Sequence, residues 1–301
     1  MPQSFIETAI RGGIRTAATI SPGLGARAAL PTLFFASPPM PLAASSSFAG
    51  TAAAQATTNR ITVRGRPVVT YEWAPASGDR SGTGRGAGTV LLLHGWRGRA
   101  TQFAPLIKHL TGLGFRVASF DAPAHGASPG RMTDLRDWIA AATQLHEQYD
   151  GFTGIIGHSL GGLAALTAAR TSTPTPAVAV IATPTTPTTI LSEFAQDLAL
   201  PEAARSHLTR HFAARVNETA TSLSDRYDAV AHPLPVATRL LVIHDRQDRR
   251  IPDSEGARLH AAHGNRSHLL RTDGLGHSRI LAAEAVVHEL GDFLTSVPLP
   301  Q

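Results

Sequence analysis

The chain of 301 residues contains no cysteine. Disulfides, thiolate metal sites and a cysteine nucleophile are therefore excluded. Lysine occurs once, at Lys108, so nearly all the basic charge is arginine, which stays protonated at any ordinary pH. Aromatic residues make up 6% of the chain, too few for a platform on which single-stranded nucleic acid would stack. Basic residues outnumber acidic ones only as 27 to 22, and the arginines are scattered, so no nucleic-acid groove is indicated. No run is apolar and long enough for a membrane span; the best candidate, residues 28–44, is broken by Pro31, Pro38, Pro39 and Pro41. A cleavable leader is poorly supported, because Glu7 stands in its basic region and Pro22, Gly23 and Arg27 interrupt its apolar core. The expectation is a cytoplasmic protein. Export is the alternative, through a weak signal with residues 30–35 as core and Ala54-Gln55-Ala56 as cleavage site.

What the chain does have is enough apolar sequence for a large core, 43% of its residues. Residues 1–59 read as an N-terminal arm and linker, with a short helical pattern through Phe5, Ile6, Ala9, Ile10 and Ile14 and little structure from 37 to 58. The arm is expected to pack loosely on the main domain, residues 60–297. Residues 61–63 and 68–73 read as a hairpin, and a Gly-rich flexible connection follows at 77–88. Apolar runs at 89–93, 115–120, 154–156, 177–182, 240–244 and 268–271 then alternate with helical patterns. That alternation predicts an α/β fold, a mostly parallel central sheet with helices on both faces. Residues 183–237 break the rhythm with helical patterns at 190–198 and 202–216, and read as a small helical cap inserted over the strand ends. Parallel sheets bind ligands beyond the carboxyl ends of their strands, so reactive residues are expected where the runs stop.

One such stop is Gly157-His158-Ser159-Leu160-Gly161-Gly162, between a strand and a helix. Gly-x-Ser-x-Gly in that context forces a sharp turn that exposes the serine hydroxyl at the strand end. A serine needs a base to take its proton. His277 stands in a mobile-looking loop between the last strand and the final helix. The base in turn needs an acid to hold its tautomer. Asp245 at a strand tip and Asp248 three residues on compete for that role, and both fit the chain order Ser, Asp, His.

With these motifs, and with Leu93-His94-Gly95-Trp96 and Asp121-Ala122-Pro123-Ala124-His125-Gly126-Ala127-Ser128, the chain resembles the α/β-hydrolase superfamily over roughly residues 60–294. Within it the likeness is to bacterial serine esterase/lipase-like and serine-aminopeptidase-like members. The resemblance places Asp248, before Ile251-Pro252, at the family's acid, and Asp245 where a glycine is usual. It implies an oxyanion hole made by the backbone N–H groups of Trp96 and Leu160. The activity implied is a serine hydrolase cleaving a carboxylic ester, thioester or amide of a small acyl substrate, with no metal or organic cofactor. The alternatives are a catalytically silent binding protein, or an acyltransferase or perhydrolase using the same triad. Oligomeric state is left open. Arg97, Arg99, Arg246, Arg249 and Arg250 are expected near the strand ends, where they could receive an anionic substrate.

Overall fold

The computed structural model describes residues 2–35, 52, 54–76 and 87–296. Most of the linker expected at 37–58, and the Gly-rich connection up to residue 86, lie outside the described residues. The apolar runs become strands of one eight-stranded sheet in the order β1-β2-β4-β3-β5-β6-β7-β8. Their ranges are β1 Thr57–Val63, β2 Arg66–Trp73, β3 Thr89–Leu93, β4 Arg116–Asp121, β5 Gly154–His158, β6 Ala177–Ile181, β7 Arg239–Asp245 and β8 Ser267–Thr272. The first two form the expected hairpin, with Ile61 opposite Val68, and β2 runs antiparallel to β4. From β4 to β8 every pairing is parallel. All residues of β3, β5 and β6 are buried, as continuous apolar strands must be when helices cover both faces of a sheet.

The connection from β3 through α3 (Ala104–Gly112) steps one way along the sheet, and that from β4 through α4 (Leu135–Gln148) steps back past β3. Right-handed crossovers then place α3 on one face and α4 and α5 (Leu160–Thr171) on the other. The contacts agree: α4 packs on α5, and α3 packs on the final helix α11 (Glu284–Thr295). This reversal opens a crevice at the carboxyl ends of the central strands. His94, Asp121, Ser159, Asp245 and Asp248 all lie at or just beyond such ends.

The chain divides into two compact units, 1–35 with 186–232 and 36–185 with 233–301. The larger holds the sheet. In the smaller, the start of the chain is not a loose arm but two helices, α1 (Pro2–Ile20) and α2 (Pro22–Phe34). They share a core with α6 (Pro187–Asp197) and α7 (Glu202–Arg215): Ile14, Ala18, Ala26 and Ala29 pack with Leu191, Ala195, Ala204 and Leu208. Phe34 stacks on Phe212 at 5.7 Å between ring centres. Burial of this face is what draws the segment into helix despite Pro31 inside α2. The inserted segment also carries α8 (Ala220–Tyr227), which its short polar sequence did not announce. Pro201 stands at the N-cap of α7, one place earlier than its preference for a first helical position implies.

Candidate active site

Ser159 follows β5 and opens α5 with φ +55° and ψ −124°, a conformation that costs an L-residue on the order of 1–3 kcal/mol. Its N–H donates to the carbonyl of Ile181 at 2.9 Å, so the turn is stitched to β6. Gly157 permits the bend: a Cβ there would collide with the main chain of Gly161 and Gly162. Leu160, the first residue of α5, presents one of the N–H groups that a helix start leaves without an intrahelical acceptor.

Of the two competing aspartates, the structure brings Asp248 to His277. Nδ1 of His277 lies 2.8 Å from Oδ2 of a carboxylate with no exposed side-chain surface. A carboxylate only accepts, so Nδ1 carries the proton and Nε2 keeps its lone pair. Burial pushes the Asp248 carboxyl up. The hydrogen bond and charge of His277, and the N–H groups of Arg250 and Ile251 on Oδ1, outweigh burial and leave it below the usual range.

Asp245 faces elsewhere. It accepts from Thr272 Oγ1 at 2.7 Å and from the N–H groups of Leu275 and Gln247. Burial opposes its ionisation, yet these bonds and one from the Gly276 N–H hold it down to about 2. It thereby braces the segment carrying His277. That segment, beyond α9 (Asp253–His263) and β8, is not the mobile loop expected from sequence but the single helical turn α10 (Gly276–Arg279).

The loop after β3 is fastened at three points to the loop after β4. His94 Nε2 accepts from the Ala122 N–H at 3.0 Å, so Nδ1–H donates to the Gly95 carbonyl. His125 Nε2 accepts from the Arg97 N–H at 2.8 Å, and Nδ1–H donates to Pro123. Asp121 accepts from the Ala100 N–H at 2.7 Å. Burial, with smaller effects of neighbouring groups, pushes His94 down to about 4 and His125 down to about 3, so both rings are neutral struts at physiological pH. Trp96 is half-buried, with its ring against Trp138 and His125.

The supporting side chains His244, His158 and Gln102 were not singled out from sequence. Only the place of His158 inside the Gly-x-Ser-x-Gly motif could have drawn attention to any of them. His244 Nε2 donates to the Ile251 carbonyl at 3.0 Å and lies 3.6 Å from Asp248 Oδ2. Among the described residues, no three His, Asp or Glu side chains gather as a metal ion would require, and no helix is long and apolar enough to cross a membrane. His277 packs against His158, the residue before Ser159, with ring centres 4.8 Å apart; an imidazole paired with a carboxylate near a serine at a helix start is the kind of equipment acyl transfer uses.

The sequence pattern of the alpha/beta hydrolase fold family matches residues 88–211. Over 253 residues the chain is 30% identical to the pimeloyl-acyl-carrier protein methyl ester esterase of Xanthomonas campestris pv. campestris, an alignment spanning 69% of this chain and 96% of that protein. Among solved structures, an esterase of Pyrococcus furiosus superposes with a TM-score of 0.59 at 19% identity, over 88% of this chain and 98% of that one. The esterase domain of a Rhodothermus marinus protein gives 0.56 at 20% identity, over 80% of this chain and 96% of that one. At these identities the structural likenesses speak for the fold.

Proposed function

The chain belongs to the α/β-hydrolase superfamily, and on that footing we propose that it is a serine hydrolase that cleaves a carboxylic ester through an acyl-enzyme. Ser159 Oγ attacks the ester carbonyl while His277 Nε2 takes its proton. Asp248 holds the proton of His277 on Nδ1 and stabilises the imidazolium that forms. The oxyanion rests on the N–H groups of Trp96 and Leu160. As the tetrahedral intermediate collapses, the C–O bond to the alcohol breaks and His277 returns its proton to the leaving oxygen. Water then attacks the acyl-serine with the same base, releasing the acid and restoring Ser159. An ester suits this site better than a peptide, because an alkoxide leaves with less help than an amine. The 30% identity to an esterase supports the same choice.

The observation that carries the reading is the 2.8 Å pairing of His277 with Asp248, whose side chain has no exposed surface, in a segment hydrogen-bonded to His158, the residue next to a serine held at φ +55°. The test is labelling by a fluorophosphonate, followed by turnover of p-nitrophenyl esters of increasing chain length. Ser159→Ala is expected to abolish labelling and to lower turnover by roughly 10⁴–10⁶-fold while the fold persists. An unlabelled wild-type serine would leave a silent binding protein as the better account.

A second reading narrows the substrate to an ester carried on an acidic protein. Its support is the exposed Arg246, Arg249 and Arg250 beside the acid, with Arg271 and Arg279 flanking the base segment, together with a relative whose named substrate is borne by an acyl carrier. For such a substrate kcat/KM should fall steeply with added salt, whereas that for p-nitrophenyl acetate should not. Equal salt dependence of the two would reject it.

A further inference from the structure

His158 fills the variable position between Gly157 and the serine, with 5% of its surface exposed. Its Nε2 lies 2.9 Å from the main-chain oxygen of His277, and its Nδ1 lies 3.3 Å from Nε2 of Gln102. A carbonyl oxygen can only accept, so the proton sits on Nε2. Nδ1 is then the acceptor, and the Gln102 amide donates to it. Gln102 belongs to the 3₁₀ turn Ala100–Phe103 that follows the loop carrying Trp96. One imidazole therefore touches the oxyanion loop's far end, the nucleophile's own strand and the peptide that carries the base.

We infer that His158 is a positioning residue, which fixes the His277 peptide to the residue preceding the nucleophile by donating Nε2–H to its carbonyl, with Gln102 selecting the tautomer. The inference rests on the serine-hydrolase reading above. Its physical basis is that α10 is a single helical turn, which cannot hold itself in place. Asp245 ties the approach to that turn, but its bonds stop at Gly276. The bond from His158 acts on residue 277 itself. It refers the base to the peptide next to the serine, so small movements of the base segment do not open the gap between the two reacting groups. The neutral ring keeps on Nδ1 the lone pair that the Gln102 amide meets; protonation would end that contact and leave the Nε2–H donor in place. Burial and the neighbouring His277 push the ring down to about 3, with His94 acting the same way and Asp248 and the carbonyl bond opposing.

Three variants test the assignment. His158→Leu keeps the bulk and removes the donor, His158→Gln restores an amide N–H in its place, and Gln102→Leu removes the group that selects the tautomer. With p-nitrophenyl acetate, His158→Leu is expected to lower kcat by about tenfold to a hundredfold with KM changed by less than about twofold. His158→Gln should recover most of that loss, and Gln102→Leu should lose a few-fold in kcat. In wild-type protein, ¹⁵N shifts of the His158 ring should report the Nε2–H form throughout pH 5–9. Full kcat in His158→Leu, equal impairment of the Leu and Gln variants, or a proton on Nδ1 would overturn the assignment. The ring measurement decides should His158→Leu fail to fold. A wild-type chain that fluorophosphonate leaves unlabelled, yet whose ring shows the expected tautomer, would refute the hydrolase reading and leave this contact standing.

Discussion

Gly95 shows how little room separates the proposed oxyanion loop from Ser159. A Cβ at that position would lie 2.9 Å from Cβ of Ser159 and 3.1 Å from Nδ1 of His158. Neither neighbour can yield without moving the turn at Ser159. Gly95→Ala is therefore expected to cost about a hundredfold in kcat, measured with a p-nitrophenyl ester, while far-ultraviolet circular dichroism stays native. The same scale marks where sequence reading stops. Ser159 and His277 were legible because a motif and a place in the chain order announce them. The contest between Asp245 and Asp248 was not settled by the residues themselves. Two carboxylates in one turn differ in which way each points, and that is set by partners 27 to 30 residues later, Thr272 and Leu275 for one and His277 for the other. His158 and His244 were hidden for the same reason: a histidine's role lies in the acceptor it meets, and those acceptors are main-chain oxygens.

At the scale of elements, the strands and long helices of the sheet were readable because apolar periodicity and the Gly, Pro and Asp that bound it are local. Helix α4 is an example. Asp134 caps it by accepting from the Arg136 N–H, and Asp137 reaches back to the Asp134 N–H in a capping box. Asp134→Ala should cost about 1 kcal/mol and lower Tm by roughly 2–4 °C with kcat unchanged, as paired thermal melts and ester assays would record. Elements fixed by distant partners were misread. The segment carrying His277 has the turn and glycine residues of a mobile loop, yet Asp245 gathers Thr272, Leu275 and Gly276 into a bend. Helix α1 runs on beyond the short pattern read through Phe5 to Ile14, and α2 gave no such signal; α1 packs on α2, and α2 packs on α7.

For the molecule as a whole, buried neutral imidazoles should set the acid limit of stability. His94, His125 and His158 are held down to about 4, 3 and 3 from an ordinary value of 6.5, chiefly by burial. A histidine whose folded value is depressed stabilises the native state above the unfolded value, and that stability drains away as pH falls toward the folded one. Below about pH 6.5 the unfolded chain takes up three protons that the native chain refuses, a slope of up to about 4 kcal/mol per pH unit. Urea midpoints are accordingly expected to decline from pH 6.5 toward pH 5, before the carboxylates titrate. A flat midpoint over that interval would contradict the burial of these rings.

The smaller unit has a consequence for biosynthesis. Its first two helices are made before the sheet, whereas the helices completing their core, α6 and α7, come only after residue 186. During that interval the leading segment has translated apolar residues such as Ile14, Ala26, Ala29 and Phe34 but not the surface meant to shield them. A nascent chain paused anywhere in the intervening strands is thus a natural client for chaperones, and slowing translation there should raise the share of product lost to aggregation.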